Sequence, residues 1–510
     1  RGAVEKNLGG RMGRGGDASA PPKGGPSPAL AKVLERPEEW VKVGDWEYDV
    51  TRFKHPGGQS ILRYMLASSG ADATEAFREF HGRSPKANRL LRALPRRAPA
   101  GGPSRDRRSD EQMLAAFAEW RAALEAEGFF APRPLHVLGR LLELLALLAL
   151  GLLLYRLGRP VLATLAMGLF GARCGWVQHE GGHCSLTGHG AVDKGLQKAA
   201  AGFGLGCSGA MWNQMHNKHH ATPQKEGHDM DLDTTPLVAF FDRAVETNRP
   251  RPHSRLWLRF QAWTFLPVTS GLFVMAFWIL FLHPRQVGKA RDGPQALWML
   301  AFHVARPLLV AGAAGCSFLQ GYALTWASIW VSGMYLFGHF ALSHTHTDVV
   351  PGDEHRNWVR YSVDHTVDIT PDNPLVNWAM GYLNCQVIHH LFPQMPQCVQ
   401  PEVSRRFRKF AREWGLEYRV VGYGEAWRMT FANLVAVGEA YYEKGRKGGD
   451  PGPPPSPWGP STRAEPFRAP FSSSHYPYIH PTTTPPLSHL PRPAPWPPRA
   501  GGGAAVAAAA

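Results

Sequence analysis

The sequence predicts an α-helical integral membrane protein, with about four transmembrane helices plus interfacial helices, preceded by a small N-terminal α+β domain. Three observations predict it. Between residues 137 and 342 the chain repeats apolar stretches of the length that crosses a bilayer. From Trp40 to about residue 95, strand-like alternation gives way to short helical patterns. Beside the apolar stretches stand three clusters at helical spacing: His179-Glu-Gly-Gly-His183, His216-Asn-Lys-His219-His220 and Gln386-Val-Ile-His389-His390.

The chain has 510 residues and a formal charge of +15, unevenly spread. Residues 1–37 and 441–510 are rich in Gly, Pro, Ala and Ser without a sustained apolar period, and read as disordered. Between them lie a small domain (38–95), a basic linker with an amphipathic helix (96–130) and a membrane domain (131–440). The cysteines at 174, 184, 207, 316, 385 and 398 lie in or beside apolar stretches without paired spacing. That pattern predicts reduced thiols rather than a disulfide framework. A nucleic-acid partner is not expected.

In the small domain, alternation from Trp40 leads to His55-Pro56-Gly57-Gly58, a turn that lets backbone approach something flat and large. Gly70-Ala71-Asp72-Ala73-Thr74 then opens a run ending Phe77-Arg78-Glu79-Phe80-His81. In this order the motifs resemble a cytochrome b5 domain. The resemblance implies a b-type haem with His55 and His81 as its two axial ligands. Bis-imidazole ligation fills both axial positions, so such an iron passes electrons but offers no site to oxygen.

The linker at 95–109 is basic and flexible. The following helix, around 110–128, carries Met113, Leu114, Phe117, Trp120 and Leu124 on one face, which suits either a membrane surface or protein. Stretches 137–155 and 160–178 form a hairpin of two spans. The cationic linker before them puts their start, and therefore His179, on the cytosolic side. Residues 196–213 are weakly apolar and are expected to lie in or dip into the interface rather than cross. Three apolar stretches remain: 264–282, 297–315 and 320–342. Three crossings would strand the third cluster on the opposite side from the other two. Because Arg285, Lys289 and Arg291 mark 284–295 as cytosolic, 264–282 is expected to be the re-entrant or interfacial piece.

Side chains at i, i+3 and i+4 share one helix face, so each cluster is built to share a ligand. His179-Glu180-x-x-His183 also matches the zinc metalloprotease pattern, in which the glutamate is general base. A single zinc needs only three protein ligands, whereas seven histidines are offered here. Gly181 and Gly182 would each cost about 1 kcal/mol inside such a helix. Imidazole-rich sites with open positions suit iron that activates O₂. Removing hydrogens from an unactivated acyl chain also needs two electrons, delivered singly. A haem domain on the same chain supplies them, and a flexible tether would hold it at roughly millimolar effective concentration.

The boxes HxxxH, HxxHH and QxxHH with an N-terminal cytochrome b5 resemble the front-end fatty acid desaturases of the membrane di-iron family. Gly227-His-Asp-Met-Asp-Leu-Asp-Thr-Thr235 and Gly381-Tyr-Leu-Asn-Cys-Gln-Val-Ile-His-His-Leu-Phe-Pro393 extend the match. The resemblance implies two non-haem irons held by His179, His183, His216, His219, His220, His389 and His390, with Gln386 at the variant position. It further implies a ligand after the last span, placed at His344, with His339 and His346 as competitors. Asp229, Asp231 and Asp233 are candidates to orient these rings, and His228 reads as a supporting residue rather than a ligand. His189, His355 and His365 receive no role. The implied activity is O₂-dependent insertion of a cis double bond between an existing one and the carboxyl end of a long acyl chain, carried by CoA or phospholipid. Electrons would come from NADH-cytochrome b5 reductase, and the endoplasmic reticulum membrane is the expected location. Fatty acyl hydroxylation and sphingoid-base desaturation are the alternatives within the same iron class.

Overall fold

The computed structural model describes residues 38–56, 59–63, 65–67, 71–99, 107–226, 229, 237–241, 252–351 and 354–446. The segments expected to be disordered therefore lie outside the described residues, except 441–446.

The N-terminal module is built on a hairpin, β1 (Trp40–Val43) and β2 (Trp46–Asp49), paired antiparallel with Trp40 opposite Asp49. Alternation turns Val41 and Tyr48 inward. A third strand, β3 (Arg96–Arg97), pairs with β2. The first residues of the expected linker thus belong to the sheet. Helix α1 (Thr74–His81) and helix α2 (Pro85–Ala93) close the module. Ser84 caps α2 by accepting from Ala87 N at 3.2 Å, with Pro85 in the first turn.

Helix α3 (Arg107–Ala126) is the expected amphipathic helix, and protein receives its face. Met113, Phe117 and Leu124 are buried in one core with Trp358, Val387, Leu391, Phe392, Phe407 and Phe410. Ala76 of α1 belongs to the same core, and Phe80 packs against it. Polar contacts pin the module further. Arg83 donates to the carbonyls of Cys184 (2.9 Å) and Phe130 (2.8 Å), and Arg121 donates to Glu79 at 2.5 Å. The haem module is docked on the membrane domain, and residues 100–106 of the expected flexible linker lie outside the described residues.

Helices α4 (Pro134–Arg156) and α5 (Pro160–Gly182) form the first hairpin. Helix α6 (Gly190–Ala199) runs into π turns over Ala200–Gly204, and the chain then reverses. Gly206 makes that reversal at φ +70°, where a Cβ would stand 2.8 Å from the Phe302 ring. Stretch 196–213 therefore turns back and leads into helix α7 (Gly209–Ala221).

The later apolar region forms three helices: α8 (Gln261–Ala290), α9 (Gly293–Ala314, bent at Val304) and α10 (Phe318–Ala341). By length and hydropathy, four helices among the described residues suffice to cross a membrane: α4, α5, α8 and α9. The number matches the expectation but the membership does not. The expected interfacial stretch 264–282 lies in α8, which is long and apolar enough to cross. The expected span 320–342 lies in α10, whose hydropathy is diluted by Gln320, Ser328, Ser332 and His339. Both helices pack within the bundle. Helix α10 runs alongside α5, with Gly168 against Val331, Gly171 against Ser332 and Gly175 against Leu336. Helix α8 packs on α10 as well, with Gly271 against Trp330 and Met275 against Gly333. At one end of α8, Gln261 donates to Leu434 O (2.8 Å); near the other, His283 Nδ1 accepts from Ser208 N (2.8 Å), the N-cap of α7.

Arg306 on α9 is fully buried and donates to Gly204 O and to Ser328 Oγ, the latter at 2.8 Å. It faces the bundle interior, which is how a cation is accommodated in such a helix.

Helices α11 (Gln386–Leu391), α12 (Gln400–Glu413) and α13 (Tyr423–Arg446) complete the fold. Helix α13 runs past the expected boundary at residue 440.

Candidate metal centre

Each histidine cluster sits where a helix ends. His179 is in the last turn of α5, and His183 is its C-cap. Gly181 and Gly182 are there for space. A Cβ on Gly181 would meet Asp193 O at 2.7 Å, and one on Gly182 would meet the Trp212 ring at 2.5 Å. Small residues thus let α6 and α7 approach closely, and Trp212 stacks on His216 with centroids 4.1 Å apart. His216, His219 and His220 follow from α7, and Gln386, His389 and His390 from α11.

The structure gathers these rings into two groups. In one, ligand atoms of His179, His183, His216, His220 and His389 all lie within 4.8 Å of one another. In the other, those of His219, His344 and His390 do the same. Nε2 of His216 is 3.0 Å from Nε2 of both His179 and His220. Nε2 of His219 is 3.2 Å from that of His344, and the Gln386 amide reaches the same His344 atom at 2.8 Å. His220 and His390 stack at 4.1 Å and join the groups. Of the three competitors after the last apolar helix, His344 enters a group. His339 is engaged by Tyr335 O and Tyr423 Oη instead. His346 is half-buried outside both groups, with neither ring nitrogen partnered among the described residues.

Burial, then neighbouring imidazoles, holds His183, His220, His389 and His390 well below the usual histidine range. These rings are neutral, the form that binds metal. Nε2 of His183, Nδ1 of His220, and both ring nitrogens of His389 and His390 have no hydrogen-bond partner among the described residues. Orphaned buried nitrogens converging in this way fit metal ions, and two groups fit two ions.

Orienting partners surround the rings. Asp229 Oδ2 lies 2.8 Å from Nδ1 of His219 and accepts from Gln224 N at 2.9 Å. Gln224 Nε2 donates to His344 O at 2.9 Å, and the Gln397 amide meets Nδ1 of His179 at 2.9 Å. Asp368 holds α11 in place, accepting from Val387 N (2.9 Å), Ser404 Oγ (2.5 Å) and Tyr418 Oη. His365, given no role from sequence, is buried, and its carbonyl accepts from Thr347 Oγ1 at 3.0 Å beside His344. Gln224, Gln397, Asp368 and His365 carry no spacing signal that sequence reading can use. His228, Asp231 and Asp233 lie outside the described residues.

The metalloprotease alternative fails on geometry. The fully buried Glu180 carboxylate is directed to His136 Nε2 (3.2 Å) and Arg140 Nε (3.6 Å). It is engaged away from the histidine groups, where a general base would have no substrate.

In the N-terminal module the His55 and His81 rings face one another, centroids 5.8 Å apart, across an apolar crevice lined by Val41, Phe53, Leu62, Phe77 and Leu91. Burial, then the nearby His55, lowers His81 to about 4. Two neutral imidazoles opposed in an apolar slot fit a haem. Ala221, the last residue of α7, also lines this crevice.

The fold and the two sites define a multi-pass membrane oxidoreductase that couples a haem module to a histidine-bound non-haem di-iron centre. Comparison with known proteins narrows the class. The family model described as fatty acid desaturase matches residues 158–422, and that for the cytochrome b5-like haem/steroid binding domain matches 29–114. An acyl-lipid (8-3)-desaturase of Rebecca salina is 42% identical over 427 residues, covering 82% of this chain and 97% of the relative. Another acyl-lipid (8-3)-desaturase, from Thraustochytrium sp, is 39% identical over 400 residues, covering 77% and 91%. Fatty acid desaturase 3 of Homo sapiens is 27% identical over 397 residues, covering 75% and 86%. The chain belongs to the fatty acid desaturase family, as a front-end member with a fused cytochrome b5 domain.

Proposed function

We propose that this desaturase acts on acyl chains carried by lipid, with (8-3) regiochemistry, so that the new double bond lies on the carboxyl side of one at carbon 8. The observation that carries this is the 42% identity to an acyl-lipid (8-3)-desaturase along 97% of that protein. In balance, two adjacent methylenes, O₂, two electrons and two protons give a cis alkene and two waters.

The iron ligands we assign are His179, His183, His216, His220 and His389 for one ion, and His219, His344 and His390 for the other, with Gln386 beside the second. When bound, the two irons supply the O₂ activation that the hydrogen removals require. The chain's own residues do the rest. Asp229 and Gln397 fix the tautomers of His219 and His179. Trp212 holds the His216 plane. Complete burial of His179, His389 and His390 keeps bulk water from the site. His55 and His81 would hold the haem, which would supply one-electron transfer, with an NADH-dependent cytochrome b5 reductase as the proposed donor.

The reading includes a cytosolic orientation for the haem module and both histidine groups, in the endoplasmic reticulum membrane. Supporting it, both ends of α8 sit beside elements that carry or flank the histidines, so α8 need not cross. Expression in yeast fed a panel of polyunsaturated acids, with double-bond positions mapped by mass spectrometry, tests the reading. A new double bond on the carboxyl side of one at carbon 8, found first in lipid-esterified chains, is expected. A hydroxylated product, or a new bond with any other reference point, would overturn it.

A further inference from the structure

We propose that Phe80 sets the electron path from the haem to the histidine-held irons, as a positioning residue; this rests on the desaturase reading above. Phe80 is covalently adjacent to His81 and lines the haem crevice. Its ring meets His220 edge to face, with centroids 6.4 Å apart at 87°, and meets Trp358 in the same way at 5.8 Å and 89°. Ala221, directly after His220, forms part of the crevice wall. The route from axial ligand to metal ligand is therefore one peptide unit and one ring contact. Beyond it, the His220–His390 stack leads to the second group.

The docking that makes this contact is specific. Arg83 and Arg121 fix the two ends of the junction through Cys184 O, Phe130 O and Glu79. Between them, Ala76 and Phe80 enter the core shared with α3, α11 and α12. Trp358, which backs the Phe80 ring, donates through Nε1 to Leu391 O at 3.2 Å and so ties this contact to the helix bearing His389 and His390. Each transfer moves one electron. The haem passes from ferrous to ferric and one iron from ferric to ferrous, with no bond made or broken. Two such transfers serve each double bond, and the pyridine-nucleotide-dependent reductase re-reduces the haem.

The test uses the full chain with both cofactors in detergent. Phe80→Leu keeps an apolar side chain and removes the ring. Its haem content, absorption spectrum and midpoint potential are expected to match the parent. Reoxidation of the ferrous haem on adding O₂ to substrate-loaded enzyme is expected to slow by roughly tenfold or more, with Phe80→Tyr restoring most of the rate. A single turnover started from chemically reduced irons should yield as much alkene in Phe80→Leu as in the parent, because those electrons do not need the haem. Haem reoxidation at the parental rate in Phe80→Leu would overturn the proposal. So would loss of the pre-reduced single turnover, which would make Phe80 a support of the iron site. If substrate and O₂ fail to reoxidise the haem even in the parent, the desaturase reading itself falls, and the path with it.

Discussion

Gln397 and His179 stand 218 residues apart in sequence, yet the Gln397 side-chain amide lies 2.9 Å from Nδ1 of His179. Nε2 of the same ring faces His216. The amide therefore holds the outer edge of a ring whose inner edge faces the first histidine group. Partners of this kind fix ring orientation and raise ligand basicity, and losing one typically costs 10–100-fold in metal affinity. Gln397→Leu is expected to lower iron affinity by about that range while leaving haem content unchanged. Iron and haem quantified on the same purified sample check this; undiminished iron retention against a chelator would contradict it.

Glu180 gives the opposite pattern. Its carboxylate is paired with His136 and Arg140, away from the histidine groups, so Glu180→Gln should leave iron stoichiometry unaltered. The loss should appear as stability instead. Breaking one side of a buried pair costs about 3–5 kcal/mol, and the value here should fall at or below the low end because Arg140 retains Glu143 at 3.5 Å. Thermal unfolding in detergent, read beside metal analysis, separates the two effects. Iron lost without a fall in melting temperature would show that Glu180 serves the metals directly.

Asp368 makes stability depend on pH. Burial pushes its carboxyl up to about 6 from an ordinary 3.8, against the pull of the Ser404 and Tyr418 hydroxyls. Between these values the unfolded chain has released a proton that the folded chain retains, so stability falls as pH rises. The contribution is fully present below about pH 4 and lost above about pH 6, on the order of 3 kcal/mol in all. The melting temperature of the parent relative to Asp368→Asn should therefore decline across that window and level off above it. A difference that grows with pH would mean the ionised form is the one the fold prefers.

Residues 284–295 decide the topology. In the proposed topology, where α8 does not cross, Arg285, Lys289 and Arg291 face the same side as the histidine groups. A single cysteine at 289, in a background without the six native thiols, should react with an impermeant maleimide from the cytosolic side of sealed microsomes. Labelling only after the membrane is breached would place α8 across the bilayer.

What the sequence made legible was local. Histidines at i, i+3 and i+4 declare a shared face whatever surrounds them, and His-Pro-Gly-Gly with Phe-Arg-Glu-Phe-His declares the haem module. Gln397, Gln224 and Asp368 were invisible because their meaning comes from approach between distant segments, which no spacing encodes. Helix α8 shows a different limit. Packing against a bundle and crossing a bilayer both call for an apolar surface, so hydropathy alone cannot separate them. Helix α10 shows the converse, since Ser328 and Ser332 lower its hydropathy while bonding to its neighbours. The face of α3 was equally ambiguous until Phe117 was found stacked on Phe392, with centroids 5.4 Å apart.

Ala76 shares a hydrophobic core with the helices that carry and support the third histidine cluster. The electron donor is thus a private one. Under the proposed function, its supply to the irons would not depend on how much free cytochrome b5 a cell contains, nor on how many other enzymes draw from that pool. Dilution of the protein in its membrane should leave the haem-to-iron step untouched, and only re-reduction of the haem would remain a matter of collision.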